Sequence, residues 1–215
     1  NLDSLSANKQ FFEASDFEID NDLLSTSAMV FYWGMNNEFP LLETHNILFS
    51  SDYKKEFDNL FLEKTIADDI TVYIYISSKF NSSDAPAGCE NWFVMINTPP
   101  NLGQNWNELI DKYRNIIIDK IELALKTEIR SKILFEKTLT PEIIEKQTGS
   151  YKGSLYGLSS NSRYSAFKRQ SNYSKKYKNL FYCGGSAHPG GGIPLVILSG
   201  KNVSELIDDS QYFKD

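Results

Sequence analysis

One run of residues carries most of the chemistry visible in this sequence: Gly184-Gly185-Ser186-Ala187-His188-Pro189-Gly190-Gly191-Gly192-Ile193-Pro194, with glycine at five of its eleven positions. Glycine accepts positive φ and lets main chain approach a ligand with no Cβ in the way. The apolar segment that follows reads as a helix whose first turn opens at Pro194, a position that suits proline. Free N–H groups and the positive end of the helix dipole would then face whatever lies over the glycines. A pyrophosphate suits that place, as does the electron-rich pyrimidine edge of a flavin. The run is neither a G-x-G-x-x-G nor a P-loop, and a simple tight turn between strand and helix is the competing reading.

Other chemistry is sparse. His45 and His188 are the two histidines, far apart and without a Cys or carboxylate cluster, so no metal site is expected. His45 reads as structural, and His188 as either lining the cofactor pocket or shaping its turn. Neither belongs to a Ser/His/Asp arrangement, and no catalytic residue is assigned. Aromatic residues make up 13% of the chain. Phe31, Trp33, Tyr73, Tyr75, Trp92 and Phe93 could line an apolar tunnel or be plain core. Alternation turns only one face of a strand toward any cavity, and the sequence leaves open which.

The elements that must position these residues follow from pattern. Ser27–Trp33, His45–Phe49, Thr71–Ile76 and Trp92–Ile96 read as strands, the first ending at Gly34. With few helices between them, they imply an antiparallel sheet. Asp52 caps a short helix that places Phe57, Leu60 and Phe61 on one face. Residues 81–88 read as a loop. Asn105 and Glu108 resemble a capping box. Trp106, Ile110, Tyr113, Ile117, Ile121 and Leu125 then repeat at spacings of three and four, predicting a helix over about 105–127 that crosses the sheet. Ile133–Phe135 reads as a further strand, and Thr140-Pro141-Glu142 opens a helix that Gly149 closes. Residues 150–177 read as a long irregular segment. Leu180–Cys183 reads as a short strand leading into the glycine run, and Pro194 to about Ile207 as the helix after it.

The 215 residues suffice for one large domain or two small ones, with no run long enough to span a bilayer. Residues 1–25 are polar and acidic and show no signal peptide. The net charge of −6 disfavours nucleic acid as a partner. Lys168-Arg169 to Lys175-Lys176-Tyr177-Lys178 reads as a solvated basic loop. Cys89 and Cys183 form no C-x-x-C pattern, which fits a reducing cytoplasm. The glycosylation sequons at Asn81, Asn172 and Asn202 read as coincidence.

Tyr182 to Pro194 resembles the C-terminal signature of bacterial carotenoid (phytoene-type) desaturases, a branch of the flavin-containing amine-oxidase-like superfamily. Phe31-Tyr32-Trp33-Gly34, His45 to Ser50, Asp52 to Phe57, Ala85 to Trp92 and Gly153-Ser154-Leu155-Tyr156-Gly157 resemble family segments in family order, so the likeness covers roughly 27–207. It implies an α+β fold: an antiparallel substrate-binding domain covered by helices over 1–177 (core about 27–149), then the terminal strand–turn–helix of a Rossmann-like FAD domain over 178–215. It implies FAD as cofactor, with Gly184, Gly185, Ser186, Gly192, Ile193, Pro194 and Leu195 in contact with it, and the protein contributing binding and electrostatics to flavin chemistry. The implied reaction is desaturation of a carotenoid or other long apolar polyene. A carotenoid isomerase, a saturase or an amine oxidase of the superfamily is the alternative, as is a non-catalytic module for an apolar ligand or partner. The implied location is cytoplasmic, peripheral to the inner face of the membrane, with oligomerisation left open. The family's N-terminal strand–GxGxxG–helix has no counterpart in these residues, so the chain is expected to be the C-terminal portion of such a protein.

Half of an FAD site leaves the pyrophosphate without its cradle. The 215-residue chain alone is therefore expected to stay colourless after dialysis against FAD. Stoichiometric yellow protein with micromolar affinity would contradict this.

Overall fold

A computed structural model describes residues 24–157 and 169–209. The polar stretch considered above for targeting lies, up to residue 23, outside them. Five strands form one antiparallel sheet: β1 (Ser27–Met35), β2 (His45–Leu48), β3 (Val72–Ile76), β4 (Glu90–Thr98) and β5 (Ile133–Leu139), in the spatial order β2-β3-β4-β1-β5. Among the described residues four α-helices accompany them: α1 (Tyr53–Asp58), α2 (Trp106–Leu125), α3 (Pro141–Thr148) and α4 (Ile193–Asp209).

Period-two alternation decides what each strand buries. Along β4 buried and half-buried residues alternate without a break, so Trp92, Val94 and Ile96 face one way and Phe93 and Met95 the other. Register aligns these with β1 and β3: Phe31 pairs with Val94, which pairs with Ile74, and all three are 0% exposed. Trp33 lies opposite Trp92 in the same layer, their rings 6.5 Å apart. α2 covers this face through Trp106, Tyr113, Ile117, Ile118, Ile121 and Leu125. Its start is fixed as its sequence implies, with the Asn105 carboxamide oxygen accepting from the Glu108 N–H and its Nδ2 donating to the Glu108 carboxylate at 3.2 Å. α3 begins at Pro141 behind the Thr140 cap and ends at Gly149, whose φ is 73°.

The α+β class and antiparallel sheet agree with the sequence reading, as does a long helix lying across the sheet. Among the described residues, the long helix lies on one face only. β1 does not stop at Gly34. It runs on to Met35 because a bare Gly34 admits its neighbour Phe135, whose Cβ would lie 3.3 Å from a Cβ added there. β5 extends past Phe135 to Leu139 as β1's second partner. Residues 180–183 do not form a strand: a single bridge joins Phe181 to Tyr173, and without a partner running alongside there is no ladder to extend.

Carboxylates, two of them buried, pin the connections. Glu56 in α1 accepts from Ser50 Oγ and from the Thr71 N–H and hydroxyl. Glu90 accepts from the Phe39 N–H and Trp92 Nε1, and pairs with Lys79 at 2.7 Å. Asp69 accepts from both the hydroxyl and the N–H of Ser51 at 2.6 Å, and from Lys120 Nζ at 2.9 Å, tying the lead into β3 to α2. The Ser51 hydroxyl bond, then Lys120 and the Ser51 N–H, hold the Asp69 carboxyl down to about 2 from an ordinary 3.8. A depressed folded pKa stabilises above the unfolded value and stops doing so as pH falls through the folded one. Asp69→Asn is thus expected to lower stability at neutral pH, by less than about 1 kcal/mol because the carboxylate is half exposed. The deficit should shrink as pH drops from about 4 to about 2, which denaturant titrations of both proteins would follow.

Candidate functional site

The glycine-rich run forms an irregular turn capped by α4. Gly184, Gly190 and Gly192 have φ of 120°, 137° and 99°, values that side chains strongly disfavour. Glycines of two kinds occur here. A Cβ added to Gly184 or Gly192 would meet nothing within 4 Å, so main chain there fronts open space. A Cβ on Gly191 would lie 2.3 Å from Tyr156 Cδ1, and one on Gly190 would lie 3.0 Å from Arg169 Nε. The first pair keeps a surface bare, and the second lets side chains pack onto the backbone. Ser186 turns toward Gly157, where an added Cβ would lie 3.0 Å from its Oγ. Ile193, Pro194 and Leu195 stand exposed on the first turn of α4, Ile193 at 79%. All seven residues nominated from sequence therefore sit on one turn and the helix start behind it.

Side chains hold the turn's carbonyls in place of a regular ladder. Arg169 Nη1 donates to Gly185 O at 3.0 Å and to Tyr156 O at 2.9 Å. Asn172 Nδ2 donates to Tyr182 O, His188 O and Ser199 Oγ at 3.0, 2.8 and 3.1 Å, and the Ser199 hydroxyl also accepts from the Gly184 N–H. The basic stretch read as solvated is thus divided. Lys175, Lys176 and Lys178 are exposed, whereas Arg169 is 8% exposed and its pKa is drawn below the ordinary value by burial. Lys168 lies outside the described residues. Asn172 is 7% exposed, so this sequon presents no accessible acceptor. His188 takes part through its backbone, with its N–H donating to Gln170 O at 2.8 Å.

The turn is joined to the sheet. Residues 153–157 run beside the lead into β1, where the Ser25 N–H donates to Gly157 O, the Leu155 N–H to Thr26 O, and the Tyr156 N–H to Ser25 Oγ. Ser27 Oγ donates to Gly153 O. Tyr156 then bears on Gly191, and Arg169 links Tyr156 O to Gly185 O.

The sheet face turned away from α2 is aromatic. Tyr32 and Phe93 meet edge to face at 5.5 Å, Phe93 and Tyr73 at 6.3 Å, and His45 stacks on Tyr75 at 5.0 Å. His45 Nδ1 lies 2.8 Å from the Tyr73 hydroxyl, and burial raises that phenol's pKa. Tyr32, Gly34, Tyr75, Asn91, Phe93 and Phe135, together with Trp33 and Trp92, line an open concavity of about 370 Å³. The tunnel candidates therefore separate. Phe31, Trp33 and Trp92 are core at 0%, 2% and 1% exposure, while Tyr73, Tyr75 and Phe93 face outward. Tyr32 and Phe135 belong with the second set and carried no signal in the sequence beyond their place in the alternation.

The fold and these two features define an α+β protein with an aromatic sheet face tied to a glycine-rich helix cap. No family model matches the chain. It is 51% identical over 186 residues to a 1-hydroxycarotenoid 3,4-desaturase of Flavobacterium sp., covering 86% of this chain and 38% of that protein. It is 36% identical over 188 residues to a 4,4'-diaponeurosporene oxygenase of Staphylococcus haemolyticus, covering 86% of this chain and 37% of that protein. A Staphylococcus aureus protein of the latter name is 34% identical over 185 residues. The chain resembles the C-terminal portion of proteins of the carotenoid desaturase family. It spans under two-fifths of the length of these relatives.

Two neighbouring positions of the turn, Gly191 and Gly185, should respond differently to a methyl group. Gly191→Ala must displace the Tyr156 ring and is expected to cost about 1–3 kcal/mol, the usual range for overpacking. Gly185→Ala meets only ordinary contacts, at 3.6 Å from Gly191 Cα and 3.7 Å from Val196 Cγ2, and should be nearly silent. Thermal melts of the two variants would test the contrast.

Proposed function

We propose that the chain is the C-terminal part of an FAD-dependent carotenoid desaturase, which introduces C=C bonds into a polyene by hydride transfer to flavin. The observation that carries this reading is the pair of bare glycines, Gly184 and Gly192, held at positive φ with open space where side chains would be. Gly192 immediately precedes α4 and the Gly184 N–H donates to Ser199 Oγ of that helix, and the same frame presents an aromatic sheet face. These residues fit a flat ring laid against main chain. Gly184, Gly185, Ser186, Gly192, Ile193, Pro194 and Leu195 would hold the cofactor. When bound, flavin supplies the two-electron acceptor that takes the hydride, while a proton leaves separately.

This chain's own part is to bind and exclude water. Ile193 and Leu195 present apolar surface beside the bare glycines. Tyr32, Tyr73, Tyr75, Phe93 and Phe135 offer rings to a conjugated chain, whose burial is favourable at about 25 cal/mol per Å². The stronger likeness to a desaturase than to the oxygenases favours desaturation within the family. The same reading puts the protein in the cytoplasm, at the inner face of the membrane where an apolar polyene resides. Among the described residues no helix is long and apolar enough to cross a membrane. Contact would instead use an apolar surface such as the ridge of Phe49, Tyr53, Phe57 and Phe61, whose successive rings lie 6.1, 4.7 and 6.0 Å apart. Cys89 and Cys183 are free, as a reducing compartment would keep them.

Gly192→Val tests the cofactor's place. The valine would enter the open space and force a β-branched residue to positive φ. A penalty of about 3 kcal/mol would weaken FAD binding roughly 100-fold. Ser186→Ala should cost about 1 kcal/mol if it removes one ordinary hydrogen bond. Both are read as FAD affinity of folded full-length protein, with the melting temperature measured alongside. Unchanged affinity in Gly192→Val would place the flavin elsewhere.

A further inference from the structure

We propose that Arg169 is a positioning residue, which fixes where the cofactor turn stands relative to the substrate sheet. This rests on the reading that the glycine-rich turn holds flavin. A single guanidinium nitrogen bridges two main-chain carbonyls, Gly185 O at 3.0 Å within the turn and Tyr156 O at 2.9 Å outside it. The Tyr156 side is itself anchored to the sheet, because Tyr156 N donates to Ser25 Oγ and Leu155 N to Thr26 O, immediately before β1. A continuous path of hydrogen bonds thus runs from β1 through residues 153–157 to Arg169 and into the turn. The guanidinium also lies under Gly190, where an added Cβ would come within 3.0 Å of Nε, so the turn rests on the side chain as well as bonding to it.

The geometry asks for arginine. One Nη1 serves both carbonyls while the rest of the flat guanidinium lies against Gly190, whereas lysine brings one compact ammonium on a flexible stem with no flat face to pack there. Arg169 is 8% exposed, and Asn172, three residues on, secures the other side of the same turn through Tyr182 O and His188 O. Flavin-to-substrate distance is the quantity this arrangement sets, and hydride transfer is sensitive to misplacement on the ångström scale.

The experiment compares Arg169→Met, Gly192→Val and a core control, Ile117→Val, in the full-length protein, reading FAD affinity, the visible circular dichroism of bound flavin and the melting temperature. Arg169→Met is expected to weaken FAD at least tenfold and to alter the dichroic band. Ile117→Val should lower the melting temperature and leave both flavin readouts unchanged. If Arg169→Met does not fold, Arg169→Lys takes its place, and a several-fold weaker affinity with an altered band is the supporting result. Wild-type affinity and dichroism in the folded arginine variant, alongside a weakened Gly192→Val, would overturn the positioning role alone. Wild-type affinity in both variants would overturn the reading of the turn as the flavin site, and the positioning role with it.

Discussion

β1 is the strand on which the rest depends. It pairs along its length with β4 on one side and with β5 on the other. The two residues before it, Ser25 and Thr26, take the hydrogen bonds of the loop that meets the glycine turn. One strand therefore serves as an inner strand of the sheet, a core layer and an anchor. Its alternation commits Phe31 and Trp33 to the layer beneath α2 and leaves Tyr32 and Gly34 on the other side. That division is forced by the pleat rather than by any preference of the individual side chains.

The two halves of the candidate site differ in how they are held. The aromatic face is rigid through ladder hydrogen bonds, and its rings contact one another across strands. The turn has no ladder. Its main-chain carbonyls are met by Arg169 and Asn172, and its conformation depends on glycines that alone tolerate the required φ. Such a turn holds its shape only while those few side chains stay in place, which makes the short segment before it as important as the glycines themselves.

Much of the fold could be read from the chain, because its signals were local. Asn105 with Glu108 announced α2, Thr140-Pro141 and Gly149 bracketed α3, and Pro194 marked the first turn of α4. The choice of face was not local. Trp92 and Phe93 are equally apolar, and only α2's docking decides that one is core and the other open. Arg169 and Asn172 were hidden for the same reason, since they lie in a polar, irregular stretch and their acceptors are 10 to 16 residues away or more. A usable signal existed in the turn: carbonyls that no strand or helix can satisfy require donors, and the amide and guanidinium just upstream are the nearest strong ones. The absent strand at 180–183 shows the opposite error, in which an apolar run is a necessary but insufficient mark of a ladder.

The strict alternation of β4 also bears on how this protein can change over evolutionary time. Inserting or deleting one residue between Glu90 and Thr98 would exchange the faces, sending Trp92 and Val94 outward and Phe93 and Met95 beneath α2. Lineages carrying such a length change would lose the fold. Single substitutions at Tyr32, Phe93 or Phe135, by contrast, alter a surface that contributes little to the core. Strand length is thus constrained by the fold, while the character of the open face stays free to drift without first passing through an unstable ancestor.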